Sequence, residues 1–139
     1  TYGVLYNWPA VMEPGICPSG WHIPTDLEWQ TMEMALGMSA LDASSTGWRG
    51  TDQGSQMKST MGWNNGGNGS NSSGFTGLPG GYRDSGGFGS DGDDGYWWPA
   101  SEAGSYSWVR RLDDYFDNVY RLNYSFNRYF GFSARCVRD

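Results

Sequence analysis

Few side chains in this chain of 139 residues carry reactive chemistry. Cys17 and Cys136 are its only cysteines and His22 its only histidine. Two cysteines so far apart in an acidic, Trp-rich chain point to one disulfide joining the chain ends, the alternative being two free buried thiols. Such a bond closes a very long loop, contributes on the order of 4–5 kcal/mol and implies an oxidising compartment. His22 lies beside Trp21 in an extended, Pro-flanked stretch. One His cannot hold zinc without Cys or carboxylate help, and the cysteines are better used in the disulfide, so a structural hydrogen-bonding role is expected. Asp91-Gly-Asp-Asp-Gly95 offers carboxylates for calcium but lacks the EF-hand spacing and its closing bidentate Glu, and reads as a solvated turn. No Glu-Pro-Asn motif for calcium-dependent sugar binding is present. The pairs Gly80-Gly81 and Gly86-Gly87 precede neither a helix nor a Gly-Lys-Ser/Thr, which argues against a phosphate loop. No nucleophile–base pair stands out and no cysteine is to spare, so neither catalysis nor a cofactor is expected.

The chemistry that is abundant is that of recognition. Aromatic residues make up 17% of the chain, with eight Trp and nine Tyr, beside 22 Gly. That composition predicts a loop-heavy fold with rings in its core and some left at the surface. A net charge of −6 argues against a nucleic-acid partner. The one basic concentration, Arg110, Arg111, Arg121, Arg128, Arg135 and Arg138, is interspersed with Asp113, Asp114, Asp117 and Asp139 and reads as a mixed-charge surface. No apolar run is long enough to span a bilayer. The chain does not begin with Met and reads as an excised domain or mature fragment of a larger secreted protein.

The elements that must position these residues are only partly periodic. Tyr2 to Trp8 alternates bulky residues and predicts a strand ended by Pro9. Thr25-Asp-Leu-Glu28 fits a capping box, with Trp29, Met32 and Leu36 at helical spacing and Gly37 at the C-cap, predicting a helix over 26–36. A shorter helix is expected over 53–59. From Gly62 to Gly95 the chain is Gly-, Asn-, Ser- and Asp-rich, and Trp63, Phe75, Leu78, Tyr82 and Phe88 are expected to pin its loops to the core. Strands are expected over 95–99, 106–112, 119–122 and 131–137.

Six segments in order resemble the Fibrobacter succinogenes major paralogous domain, found in secreted and surface-attached bacterial proteins. They are Leu5-Tyr-Asn-Trp8; Cys17-Pro-Ser-Gly-Trp-His-Ile-Pro-Thr25 with Glu28-Trp29; Met57-Lys-Ser59 before Trp63; Gly74-Phe-Thr-Gly-Leu-Pro-Gly-Gly-Tyr-Arg83; Gly95-Tyr-Trp-Trp98; and Gly131-Phe-Ser-Ala-Arg-Cys-Val-Arg-Asp139. The resemblance implies one domain over 1–139 of α+β class. Its fold would be C-type-lectin-like, with one or two helices, small antiparallel sheets, long ordered loops, and paired N- and C-terminal strands. A Cys17–Cys136 bond fits that fold, which the sulfatase-modifying enzymes share. Gly131-Phe-Ser-Ala-Arg-Cys136 also resembles the end of variable proteins made by diversity-generating retroelements. There, adenine-directed mutagenesis rewrites Asn codons into residues that exclude Lys, Glu, Gln, Met and Trp. Val109 to Gly131 contains none of those five; the alternative is ordinary strand-and-turn composition.

The expected ligand surface is Arg111, Asp113, Tyr115, Phe116, Asp117, Tyr120, Leu122, Asn123, Tyr124, Phe126, Asn127, Tyr129 and Phe130. If Leu112 and Val119 face inward, alternation turns Arg111, Asp113 and Tyr120 outward, and most of the others fall in loops. Loops rich in Tyr, Phe, Asn and Asp resemble paratopes, although such rings also fold back onto their own core. Trp21, Trp29, Trp108, Leu112, Val119 and Phe132 are the expected scaffold. The expected function is binding or adhesion to a protein or glycan, on a cell surface, in a secreted protein or on a phage particle. A glycan-binding module of a fibre-degrading system and a relative of the sulfatase-modifying enzymes are the alternatives.

Overall fold

The computed structural model describes residues 2–123 and 128–139. The N-terminal stretch bends into a short helix where alternation predicts strand. Asn7 caps helix α1, Trp8–Val11, by accepting the Ala10 N–H, and Pro9 sits in its first turn, where a missing N–H costs nothing. β1 is Trp21–His22. The capping box then forms as expected: Thr25 Oγ1 accepts the Glu28 N–H at 3.2 Å and Glu28 accepts the Thr25 N–H at 2.8 Å. It opens α2, Asp26–Ala35, and Gly37 follows at φ +99. Three further short elements come next: α3, Ala40–Ser44; β2, Gly47–Arg49; and α4, Gln53–Met57. Of these three, the sequence predicts only the last, as a short helix over 53–59.

The remaining strands are β3, Tyr82–Asp84; β4, Gly87–Gly89; β5, Asp94–Trp97; β6, Glu102–Ala103; β7, Tyr106–Ser107; β8, Val109–Asp113; β9, Val119–Leu122; and β10, Val137–Arg138. The run expected as one strand over 106–112 is thus broken at Trp108 into β7 and β8. The molecule is α+β with small antiparallel sheets, the largest ordered β2-β9-β8-β5. Two cores flank that sheet. One gathers Trp29, Met57, Trp63, Phe75, Leu112 and Val119; the other gathers Trp8, Val11, Tyr96, Trp98, Val109 and Phe132. In the Gly-rich middle, Trp63 and Phe75 are the buried anchors, while Leu78 and Phe88 are exposed. The Trp63 indole N–H donates to Gly77 O and Ser59 Oγ.

The chain ends are neighbours, through contacts briefer than two paired strands. Tyr6 and Phe132 form one bridge, and β1 pairs β10 over two residues, Trp21 with Arg138 and His22 with Val137. The expected last strand over 131–137 is divided among partners: Gly131 bonds Arg83, Phe132 bonds Tyr6, and Ser133 bonds Tyr96 and Trp98. The Cys17–Cys136 disulfide closes the ends, with Cα atoms 5.8 Å apart.

The basic cluster is only in part a surface: Arg135 and Arg138 are exposed and Arg111 and Arg128 half-buried, but two members are core. Arg110 is fully buried and Arg121 nearly so, on the sheet face that meets α2. Arg110 donates to Glu33 at 2.7 Å and to Asp26 at 2.6 Å; Arg121 donates twice to Asp26; Arg49 donates to both Glu33 oxygens. Arg121 and Arg49 place further N–H groups on the Ser44, Ser45 and Ala43 carbonyls at the end of α3. Buried charges survive only when paired and hydrogen-bonded, and the carboxylates of α2 supply that.

Candidate recognition surface

The opposite face of the sheet carries a row of four side chains in register. Trp48 pairs Tyr120, Tyr120 pairs Arg111, and Arg111 pairs Tyr96. Alternation puts all four on one face. Tyr120 packs on Trp48 with ring centroids 4.9 Å apart, and Phe116 covers the same indole at 4.5 Å. The Arg111 guanidinium lies over Trp48 at 5.4 Å and over Tyr96 at 5.7 Å. It is held by two carboxylates, Asp94 at 2.7 Å and Asp113. Burial pushes the Asp94 carboxyl up, and the Arg111 hydrogen bond pulls it back. The result is a rigid platform of rings around one neutralised cation.

The turn between β8 and β9 stands above this platform. Its main chain is gripped from below. Buried Lys58 donates its Nζ to Asp113 O and Phe116 O, both at 3.0 Å. Ser55 N–H donates to Asp117 O and Asp114 N–H to Asp93 O. Gly54 and Gly67 allow this approach: a Cβ on Gly54 would lie 2.4 Å from Asn118 O, and one on Gly67 would lie 2.2 Å from Asp114 O. The side chains divide into two kinds. Asp113 and Asp114 are buried, Asp113 accepting the Tyr115 N–H and Asp114 accepting the Asn65 amide at 2.6 Å. Tyr115 is 75% exposed and Phe116 46%. The Asp117 carboxylate is 71% exposed and lies 3.8 Å from Lys58 Nζ.

The expected site residues therefore separate. Arg111, Tyr115, Phe116, Asp117 and Tyr120 converge. Asp113 belongs to the support, because its carboxylate ties Arg111 to the turn. Leu122 is buried at 4% exposure and is core, not ligand surface: at the end of β9 it pairs Val109 of the second core. Asn123 is half-buried. Tyr124, Phe126 and Asn127 lie outside the described residues. Tyr129 is exposed, and Phe130 is half-buried against Tyr82 and Phe132, so these two form a second cluster that meets the first through Tyr82 and Tyr96. Of the expected scaffold, Trp29, Leu112, Val119 and Phe132 are buried, whereas Trp21 is exposed and Trp108 half-buried beneath Arg121. Trp48 and Lys58 were not legible as site residues: the strand carrying Trp48 is three residues long, too short to alternate, and Lys58 reaches the turn across 55 residues.

His22 bridges the chain end to α2, with Nδ1 2.6 Å from Asp139 and Nε2 2.8 Å from Glu28. The Asp139 and Glu28 hydrogen bonds raise its pKa above the ordinary value. A raised folded-state pKa stabilises most below the unfolded value, and that contribution fades as pH rises through the folded one. We expect the Tm difference between wild type and His22→Ala to shrink from pH 6 to pH 9, read by thermal scans in one buffer series. A pH-independent difference would refute a charged clasp. Among the described residues no three His, Cys, Asp or Glu side chains gather as a metal site. No described helix is long and apolar enough to cross a membrane.

The model of the Fibrobacter succinogenes major domain matches residues 1–138. The chain belongs to that family. No curated protein and no solved structure matches it. The segments that resembled the Fibrobacter succinogenes major domain fall largely on scaffold: Trp8, Trp29, Lys58, Trp98 and Phe132 are all buried. None of those segments covers 99–130, the stretch that holds the exposed turn.

Proposed function

We propose that this Fibrobacter succinogenes major domain is a ligand-binding module, not an enzyme, on a C-type-lectin-like scaffold. The single observation that carries the reading is the turn Tyr115-Phe116-Asp117. It exposes two rings and a carboxylate above a fixed aromatic platform. Binding surfaces concentrate their energy in a few aromatic or Arg anchors. Neighbouring chain ends and the disulfide beside β10 support the lectin-like assignment. The disulfide also supports secretion or display on a cell surface or phage particle. Against a cognate ligand, Phe116→Ala or Tyr115→Ala should cost about 2 kcal/mol or more of binding. A titration that leaves affinity unchanged in both variants rejects this surface.

Diversification of the turn by a retroelement is part of the same reading, supported by the absence of Lys, Glu, Gln, Met and Trp from 109–131. Sequencing the surrounding DNA tests it. A near-copy of the 3′ end differing at adenines, beside a reverse transcriptase, is the expected finding; its absence rejects diversification and leaves recognition standing. Glycan binding is a second reading. A cavity of about 470 Å³ lies between Pro9, Ser105, Tyr106, Arg128 and Tyr129, with both tyrosines exposed. Volume and rings suit a short sugar. Glycan-array binding lost in Tyr129→Ala but kept in Phe116→Ala would favour it.

A further inference from the structure

We infer that the Tyr115-Phe116-Asp117 turn takes a protein segment bearing Arg or Lys, and that these three side chains set the choice of partner while bonds to the turn's main chain, with the Asp113 and Asp114 side chains, are the chief support of the turn. This rests on the recognition reading above. Two observations carry it. The first is charge. Around the turn stand the carboxylates of Asp94, Asp113, Asp114 and Asp117, against the cations of Lys58 and Arg111. Lys58 is buried and spends its N–H groups on two carbonyls. Arg111 is clamped by two carboxylates between two rings. What the turn offers outward is the rings of Tyr115 and Phe116 and the Asp117 carboxylate. Ring faces and a carboxylate both attract a cation, most strongly a planar guanidinium that can stack and hydrogen-bond together.

The second observation is what grips the turn. Lys58, Ser55 and Asp93 bond main-chain atoms, and Gly54 and Gly67 pass close beneath main-chain atoms. The side chains of Asp113 and Asp114 complete the support. Residues 115–117 add no hydrogen bond of their own side chains to it among the described contacts; Phe116 contributes its stacking on Trp48, and the exposed Asp117 carboxylate a 3.8 Å ion pair with Lys58. Changing all three should therefore alter what is bound and leave the fold standing, whereas removing the Lys58 donor should loosen the turn itself.

The test pans a random-peptide phage library in parallel on the wild-type domain and on the combined variant Tyr115→Ser, Phe116→Ser, Asp117→Ser. The variant should keep a cooperative melt with Tm within about 5 °C of wild type. Peptides enriched on wild type should be richer in Arg and Lys than the input and bind the variant at least about tenfold more weakly. Their affinity should fall with added salt, and less steeply in Asp117→Asn. Loss of the cooperative melt in the variant overturns the claim that these bonds are the turn's chief support. An enrichment of neutral or acidic peptides that the variant loses overturns the charge assignment while recognition survives. An enrichment shared by the variant, or none on wild type, overturns the inference together with the surface it rests on.

Discussion

Glu33→Ala should lower the unfolding free energy by about 3–5 kcal/mol, the penalty of leaving buried charge without its partner. Glu33 is fully buried and accepts from Arg49 twice and from Arg110 once. Without it two guanidinium groups face one another in the core, and Arg49 already suffers from both burial and the nearby Arg110 and Arg121 charges. A domain of this size has on the order of 5–15 kcal/mol in total, so the variant should sit close to unfolding at room temperature. Denaturant titration at neutral pH measures the loss; one below about 1 kcal/mol would mean that the cluster is solvated or re-paired. Asp26 gives the cluster an acid signature. Burial pushes its carboxyl up, but the Arg121 and Arg110 guanidinium groups outweigh that and hold it at about 2. A depressed folded-state pKa stabilises above the unfolded value, so on the order of 2 kcal/mol should be lost as pH falls from about 4 to about 2. Asp26→Asn should flatten that acid limb.

Reducing the Cys17–Cys136 bond should have an effect at least as large. The bond spans 119 residues of sequence. Closing a loop of that length removes enough denatured-state entropy to contribute about 4–5 kcal/mol on the chain-entropy account. For a chain this long that is a Tm drop of roughly 10–20 °C. The expectation has a local reason as well. The ends otherwise meet through one bridge and a two-residue ladder, which is little pairing to hold a Gly-rich chain closed. Thermal scans with and without reductant, beside Cys17→Ser with Cys136→Ser, measure it. Labelling of both thiols in the unreduced protein would show that the bond does not form.

Local pattern determined what is local. The Thr25–Glu28 capping box and the apolar spacing behind it placed α2 to within a residue, because a helix is set by contacts three and four positions apart. Strand β9 was legible as Val119–Leu122, a short run with β-branched and aromatic residues. The cysteine pair followed from count and context, and the ordered family segments identified the chain. The exposed turn was legible as a stretch of Tyr, Phe and Asp between two strands. Only the tertiary structure decided the rest, and in each case the deciding contact crosses long sequence distance. Arg110 and Arg121 have the composition of a charged surface, yet Asp26, 84 and 95 residues away, turns them into core. Leu122 and Asp113 alternate correctly with their neighbours but pack inward, because this sheet has a core on both faces and alternation then no longer separates buried from exposed. Trp48, Lys58, Gly54 and Gly67 became parts of one surface only when β2 and α4 came beneath the β8–β9 turn, a placement that no window of neighbouring residues encodes.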